Sequence, residues 1–159
     1  PVLRFDGGKV RLATAVAPTA PNMTAFAVFE LDKPMANGTV AAHGNHWALR
    51  RDGANNAIRW QAGTAKSAPT LPYKAGQWGV WTAVQEADSG TLGDGVAAPK
   101  TVKTQKIVAG SASIVLGNNA AGSAASMGGY LAELLLYGKV LHPTDRAFIA
   151  HRLRVKFGL

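Results

Sequence analysis

Two carboxylates facing each other across a cleft, three ligands around a metal ion, or an activated serine would each give this chain chemistry, and each leaves a spacing that can be sought. No predicted strand carries two acidic residues at alternating positions. Glu86 and Asp88 come nearest, at the end of a strand running into a loop, where a solvated strand end is a plainer reading than an acid and base pair. Glu133 stands alone in an apolar run; burying it unpaired would be costly, so it is expected to face outward or to meet an arginine. His43 and His46 are three apart with Trp47 beside them, but Asp32 and Asp52, the nearest acids, have no ligand spacing, and a site needs a third donor. His142 and His151 belong to the C-terminal segment and read as structural. Asp52, Asp88 and Asp94 are dispersed over separate loops, unlike the dense acidic loops that hold calcium. There is no Gly-x-Ser-x-Gly element and no phosphate-cradling glycine loop ending in Lys-Ser or Lys-Thr, so acyl and phosphoryl transfer have no support. The expectation is no metal, no cofactor and no enzyme.

Recognition has more material. Trp47, Trp60 and Trp81, with Tyr73, are candidates for stacking on sugar rings from a concave sheet face, and Trp78 belongs to the same group. The competing expectation for each is burial in the core. Lys100, Lys103, Arg152 and Lys156 are candidate contacts to a partner. Seventeen Lys and Arg against nine Asp and Glu give a formal charge of +8, which attracts anionic protein surfaces, glycans or nucleic acid at low salt and also serves solubility. The cations are scattered and are not interleaved with aromatic residues, so specific nucleic-acid binding is not expected.

The elements that must position these residues follow from composition and pattern. A chain of 159 residues fits one domain, 1–159. It is 47% hydrophobic and 16% charged, enough apolar surface to fold unaided. Cysteine is absent, so packing alone must stabilise the fold. No apolar run approaches the roughly 20 residues that span a bilayer, so membrane insertion is not expected. The charged N-terminal stretch does not read as a signal peptide, and Pro1 suits removal of an initiator methionine; a complete product made without a secretion signal is expected.

Short β-prone runs punctuated by Gly, Pro and Asn fill the chain up to the last segment, and these predict strands at 2–5, 9–13, 24–31, 39–42, 47–51, 57–62, 79–86, 106–108, 113–116 and 130–137. Phe26 and Val28 fall on one face of their strand, and Val80, Thr82 and Val84 oppose Trp81, Ala83 and Gln85 on theirs. Bulk on both faces suits strands in the middle of a layered sandwich. The run 131–137 is read as strand because glycines bracket it. Asp6-Gly7-Gly8, Asn37-Gly38, Asp52-Gly53, Asp94-Gly95 and Gly117-Asn118-Asn119 read as hairpin loops. Residues 89–103 read as a long exposed loop or protruding hairpin, and 120–129 as a second loop. At the C-terminus Pro143 suits the first helical position, Asp145 the first turn, and Arg152, Arg154 and Lys156 the last turns, with Gly158 as the stop. Phe148, Ile149 and Leu153 are expected on the docked face of this helix, with Arg146, Arg152 and Lys156 in solvent.

Taken together, LRFDGGKVRL, QWGVWTAVQEA, the GDG turn, IVLGNN and the closing GGYLAELLLYGKVLHPTDRAFIAHRLRVKFG resemble the laminin-G, concanavalin A-like family over essentially the whole chain. The resemblance implies an all-β, two-sheet antiparallel jelly-roll sandwich with a short C-terminal helix. Lectins, glycan-binding modules, hydrolases and virion proteins share that architecture, so fold underdetermines function. The family's hydrolases place two carboxylates on one strand, which this chain lacks. Where many members carry an Asn or Asp after the central strand in a Tyr-Val-Asp-Gly-like setting, this chain has Thr91-Leu92-Gly93-Asp94-Gly95, so no calcium or sugar site carries over to that loop. The expected function is non-catalytic: foremost an accessory virion protein, decorating a capsid or tail by binding an assembled protein surface, with homo-oligomerisation in keeping; the location is the virion if the protein is viral and otherwise undetermined. The alternative is a carbohydrate-binding module, and a glycoside hydrolase or polysaccharide lyase is the remotest reading.

Overall fold

The computed structural model describes residues 1–7, 11–18, 20–32, 37–53, 56–64, 66–108, 110–118 and 126–159. Gly8, Lys9, Asn119 and most of the loop expected at 120–129 lie outside the described residues. Twelve strands and one helix are described: β1 Leu3–Asp6, β2 Leu12–Pro18, β3 Met23–Leu31, β4 Asn37–His43, β5 Trp47–Asp52, β6 Ala57–Ala62, β7 Thr70–Pro72, β8 Gly79–Glu86, β9 Ser89–Gly93, β10 Lys100–Lys103, β11 Ser111–Leu116, β12 Gly128–Tyr137 and α1 Pro143–Phe157. They form two six-stranded sheets with every pairing antiparallel. Sheet A runs β1-β12-β3-β8-β9-β10 and sheet B runs β2-β11-β4-β5-β6-β7, the two-sheet sandwich with a short C-terminal helix that the sequence predicts.

Alternation sorts the side chains into two cores. Between the sheets, Ala25, Ala27, Phe29 and Leu31 of β3 and Trp81 and Ala83 of β8 meet Leu49, Ile58 and Trp60 of sheet B. On the other face of sheet A, Phe26, Val28 and Val80 pack under Leu141, Ala150 and Leu153. The bulk on both faces of β3 and β8 is thus explained by α1, which makes sheet A a middle layer. Thr24 ties this layer down: its Oγ1 donates to Lys139 O at 3.1 Å and accepts from Leu141 N at 3.0 Å, fixing the approach to the helix. The helix begins and ends as its sequence dictates. His142 Nδ1 accepts from Thr144 N at 3.4 Å, Pro143 opens the first turn, and Gly158 at φ 69° supplies the left-handed cap.

A buried polar cluster joins the sheets. Gln85 Oε1 accepts from Trp60 Nε1 at 3.2 Å, and Gln85 Nε2 donates to Thr104 Oγ1 at 2.9 Å and Ala87 O at 2.8 Å. A fully buried amide is tolerable only when its donors and acceptors are matched in this way.

Several expectations are corrected. Residues 106–108 join no ladder; Ile107 there is an apolar plug, buried in the inter-sheet core. Residues 89–103 are a hairpin, but one built into sheet A as β9 and β10, with Leu92 fully buried. Asn37-Gly38 is not a turn: both lie in β4, where a Cβ on Gly38 would stand 3.1 Å from Ser126 O. β7, which is not among the predicted strands, is a three-residue edge strand, a position that tolerates Pro72. On the helix Phe148 faces solvent and Arg146 is half-buried, the reverse of expectation, because Ala150 and Leu153 set the docked face.

Candidate recognition surfaces

The candidate stacking residues Trp47, Trp60 and Trp81 are core residues, exposed at only 4%, 0% and 6%. Trp47 stacks on Trp60 with ring centroids 5.4 Å apart, Trp81 on Phe29 at 5.8 Å. His43 and His46 extend the first stack: the His43 ring lies 6.1 Å from Trp47 and 5.3 Å from His46. Both histidines are therefore placed by ring packing, and among the described residues no three His, Asp or Glu side chains converge on one point.

A pair of partly exposed aromatic rings lies elsewhere. Tyr130 in β12 pairs with Glu30 of β3 and Arg4 of β1, so all three lie on the outer face of sheet A. The Arg4 guanidinium sits 5.6 Å from the Tyr130 ring centre, and Trp78, just before β8, lies 6.2 Å from Tyr130 on the other side. Trp78 and Tyr130 are each half-buried, held by the layer beneath while part of each ring stays accessible. Sequence reasoning named Trp78 but not Tyr130; residues 78 and 130 become neighbours only through the β12-β3-β8 order.

Trp78 also walls a groove of about 810 Å³ whose lining includes Tyr73, Lys74, Gln77, Asp94 and Arg154. The Arg154 guanidinium donates to the Asp94 carbonyl, joining the end of α1 to the β9–β10 turn. That turn is itself braced by Asp94 Oδ1, which accepts from Val96 N and Ala97 N, each at 2.9 Å. Tyr73 lies under the Arg51 guanidinium, 5.2 Å from its ring centre. Its hydroxyl is shielded from solvent and has no hydrogen-bond partner among the described residues. Burial raises the Tyr73 phenol above its ordinary pKa, and Arg51 opposes that shift by favouring the phenolate.

The acidic residues are dispersed. A second groove, between the outer face of β8–β10 and α1, contains Glu86 as its one carboxylate among the described residues. Asp88 is turned to Lys103 at 3.4 Å, so Glu86 and Asp88 do not share a cleft. Glu133 meets Lys156 at 2.6 Å, the pairing expected of it with lysine in place of arginine. The four candidate contact cations are not gathered on one surface: Lys100 and Lys103 end β10 on the edge of sheet A, while Arg152 and Lys156 lie on α1.

No protein-family model matches this chain, and no curated protein does. Its fold is shared with solved structures. A heptameric SAP-like pentraxin from Limulus polyphemus superposes with a TM-score of 0.75 at 14% identity, over 94% of this chain and 81% of the pentraxin. Trypanosoma rangeli sialidase gives 0.69 at 16% identity, over 94% of this chain but 27% of the sialidase. The LG1-3 region of the laminin α2 chain gives 0.67 at 8% identity, over 86% of this chain and 26% of that region. With two packed antiparallel sheets and these superpositions, the chain has the concanavalin A-like, laminin-G-like jelly-roll fold.

Proposed function

We propose that this chain is a non-catalytic recognition module that binds carbohydrate on the Tyr130–Trp78 row and in the groove beside it. The observation that carries the reading is this pair of half-exposed rings, 6.2 Å apart, continuous through Trp78 with a groove that also presents Lys74 and Gln77. Aromatic planes beside a few polar groups are the usual make-up of a saccharide-sized site. Hydrolysis by a carboxylate pair needs two such groups about 5–9.5 Å apart, and each groove here has at most one among its described lining residues. The sialidase's activity is not transferred, since the likeness covers about a quarter of that protein.

A glycan array followed by titration of the best saccharide, read by tryptophan fluorescence, tests the proposal. Trp78→Ala and Tyr130→Ala should each weaken binding about tenfold or more. No retained glycan, or undiminished affinity in both variants, would sink it. Attachment to an assembled protein shell, such as a capsid or tail, is the second reading, favoured by the exposed β10 edge with Lys100 and Lys103 at its ends. It requires a partner that those two lysines, and not Trp78, control.

A further inference from the structure

The outer face of sheet B holds an arrangement that the aromatic row does not use. Residues directly opposite on neighbouring strands project to the same face. Register therefore lines up Thr39, Arg50, Arg59 and Thr70 across β4, β5, β6 and β7. Leu49 and Arg51 point to the other side, as the buried-half-buried alternation of β5 requires. Two arginines thus stand directly opposite one another, an apposition that costs stability in a bare sheet. Arg59 is anchored, its Nη2 donating to Lys66 O at 2.6 Å. The Nε of each arginine is shielded from solvent, and that of Arg50 has no hydrogen-bond partner among the described residues. Burial and, after it, the facing Arg59 both disfavour the Arg50 charge, and Asp52, two residues along the same strand, opposes them.

Arg50 lines a recess of about 210 Å³ with Thr39, Ala48, Gln61, Gly63 and Thr64. Gln61 Nε2 is held by Gly63 O at 3.1 Å, and Gln61 Oε1 is shielded and without a partner among the described residues. A guanidinium edge with an unused N–H, repelled by a second guanidinium and set beside an amide acceptor, lacks an oxyanion on one side and a hydroxyl donor on the other. We propose that this recess binds the carboxylate or sulfate group of a hydroxylated ligand, with Arg50 as the principal donor and Arg59 supplying field from the next strand. The site is separate from the aromatic row and stands or falls without it.

The test is NMR titration of the labelled protein with sodium glucuronate and with sodium sulfate, each against sodium chloride at matched ionic strength. The expected result is a saturable shift of the Arg50 Nε–H and Gln61 side-chain amide resonances with the two oxyanions and not with chloride. Arg50→Gln should weaken binding about tenfold or more, as loss of a charge-assisted hydrogen bond does, read on the Gln61 amide; Arg59→Gln should weaken it less. Unliganded Arg50→Gln should be at least as heat-stable as the parent at low salt, because removal relieves the apposed charges; a residue serving only the fold would lower it. Shifts in the unmodified protein that never saturate, or that chloride reproduces, would overturn the proposal, as would unchanged affinity in Arg50→Gln.

Discussion

Gln85 is fully buried between the sheets, beside Trp60 of the apolar core. Its amide is tolerated because Trp60 Nε1, Thr104 Oγ1 and Ala87 O saturate it, so Gln85→Leu would leave the Trp60 N–H and the Thr104 hydroxyl shielded and unmatched. A loss of about 2–3 kcal/mol is expected from urea denaturation followed by tryptophan fluorescence; a neutral result would mean that the cluster contributes no net stability. Tyr73 gives a prediction in pH. Its phenol titrates above the ordinary value of 10.0 in the folded protein, so the folded state holds that proton more tightly than the unfolded chain. The associated stability is complete below pH 10.0 and is lost as pH rises through the folded value. Denaturation midpoints measured upward from pH 9 should therefore fall more steeply for the parent than for Tyr73→Phe. At this scale the sequence was partly legible. Trp60 shares its strand face with Ile58 and Ala62, and Trp47 with Leu49, which is the signature of a core position. Tyr130 carried no such signal, because its partner Trp78 is reached only through a third strand.

Strands whose side chains alternate cleanly were legible as elements: β6 and β8 span the residues that the pattern predicts. β9, Ser89–Gly93, was not, since two of its five residues are glycine, which weakens any strand pattern. The structure supplies the reason for one of them. A Cβ at position 90 would stand 2.6 Å from Thr104 Cγ2 and 3.3 Å from Trp60 Cδ1, so the glycine makes room for the cluster that joins the sheets. Gly90→Ala should cost about 1–3 kcal/mol through overpacking, measured by thermal denaturation. The turn before β9 runs the other way. Glu86 pairs with Ser89, leaving a two-residue loop whose first residue, Ala87, has φ 46°. Glycine adopts that conformation without a Cβ penalty, so Ala87→Gly should raise stability by up to about 1 kcal/mol after its extra unfolded-state entropy is counted. A lower midpoint would show that the alanine methyl contributes more by packing than it costs by conformation.

An open sandwich has four edges, and among the described residues they are β1 and β10 of sheet A and β2 and β7 of sheet B. An unguarded edge recruits another copy. β7 is only three residues long and ends in Pro72, and β10 has a lysine at each end. If two copies met at β10 around a two-fold axis, antiparallel pairing would set Lys100 of one opposite Lys103 of the other, placing like charges in register at both ends. The Lys103–Asp88 pair, with side chains 84% and 56% exposed, is too solvated to cancel this. Lys100→Thr combined with Lys103→Thr should therefore associate as concentration rises, seen as increasing mean mass in light scattering. The parent should do so only near 1 M salt, where the screening length falls to about 3 Å. A double variant that stays the size of the parent at every concentration would remove β10 as a pairing surface. A parent that is large at low salt and dissociates at high salt would point instead to assembly through opposite charges, joining the basic excess of this chain to the acidic surface of its neighbour.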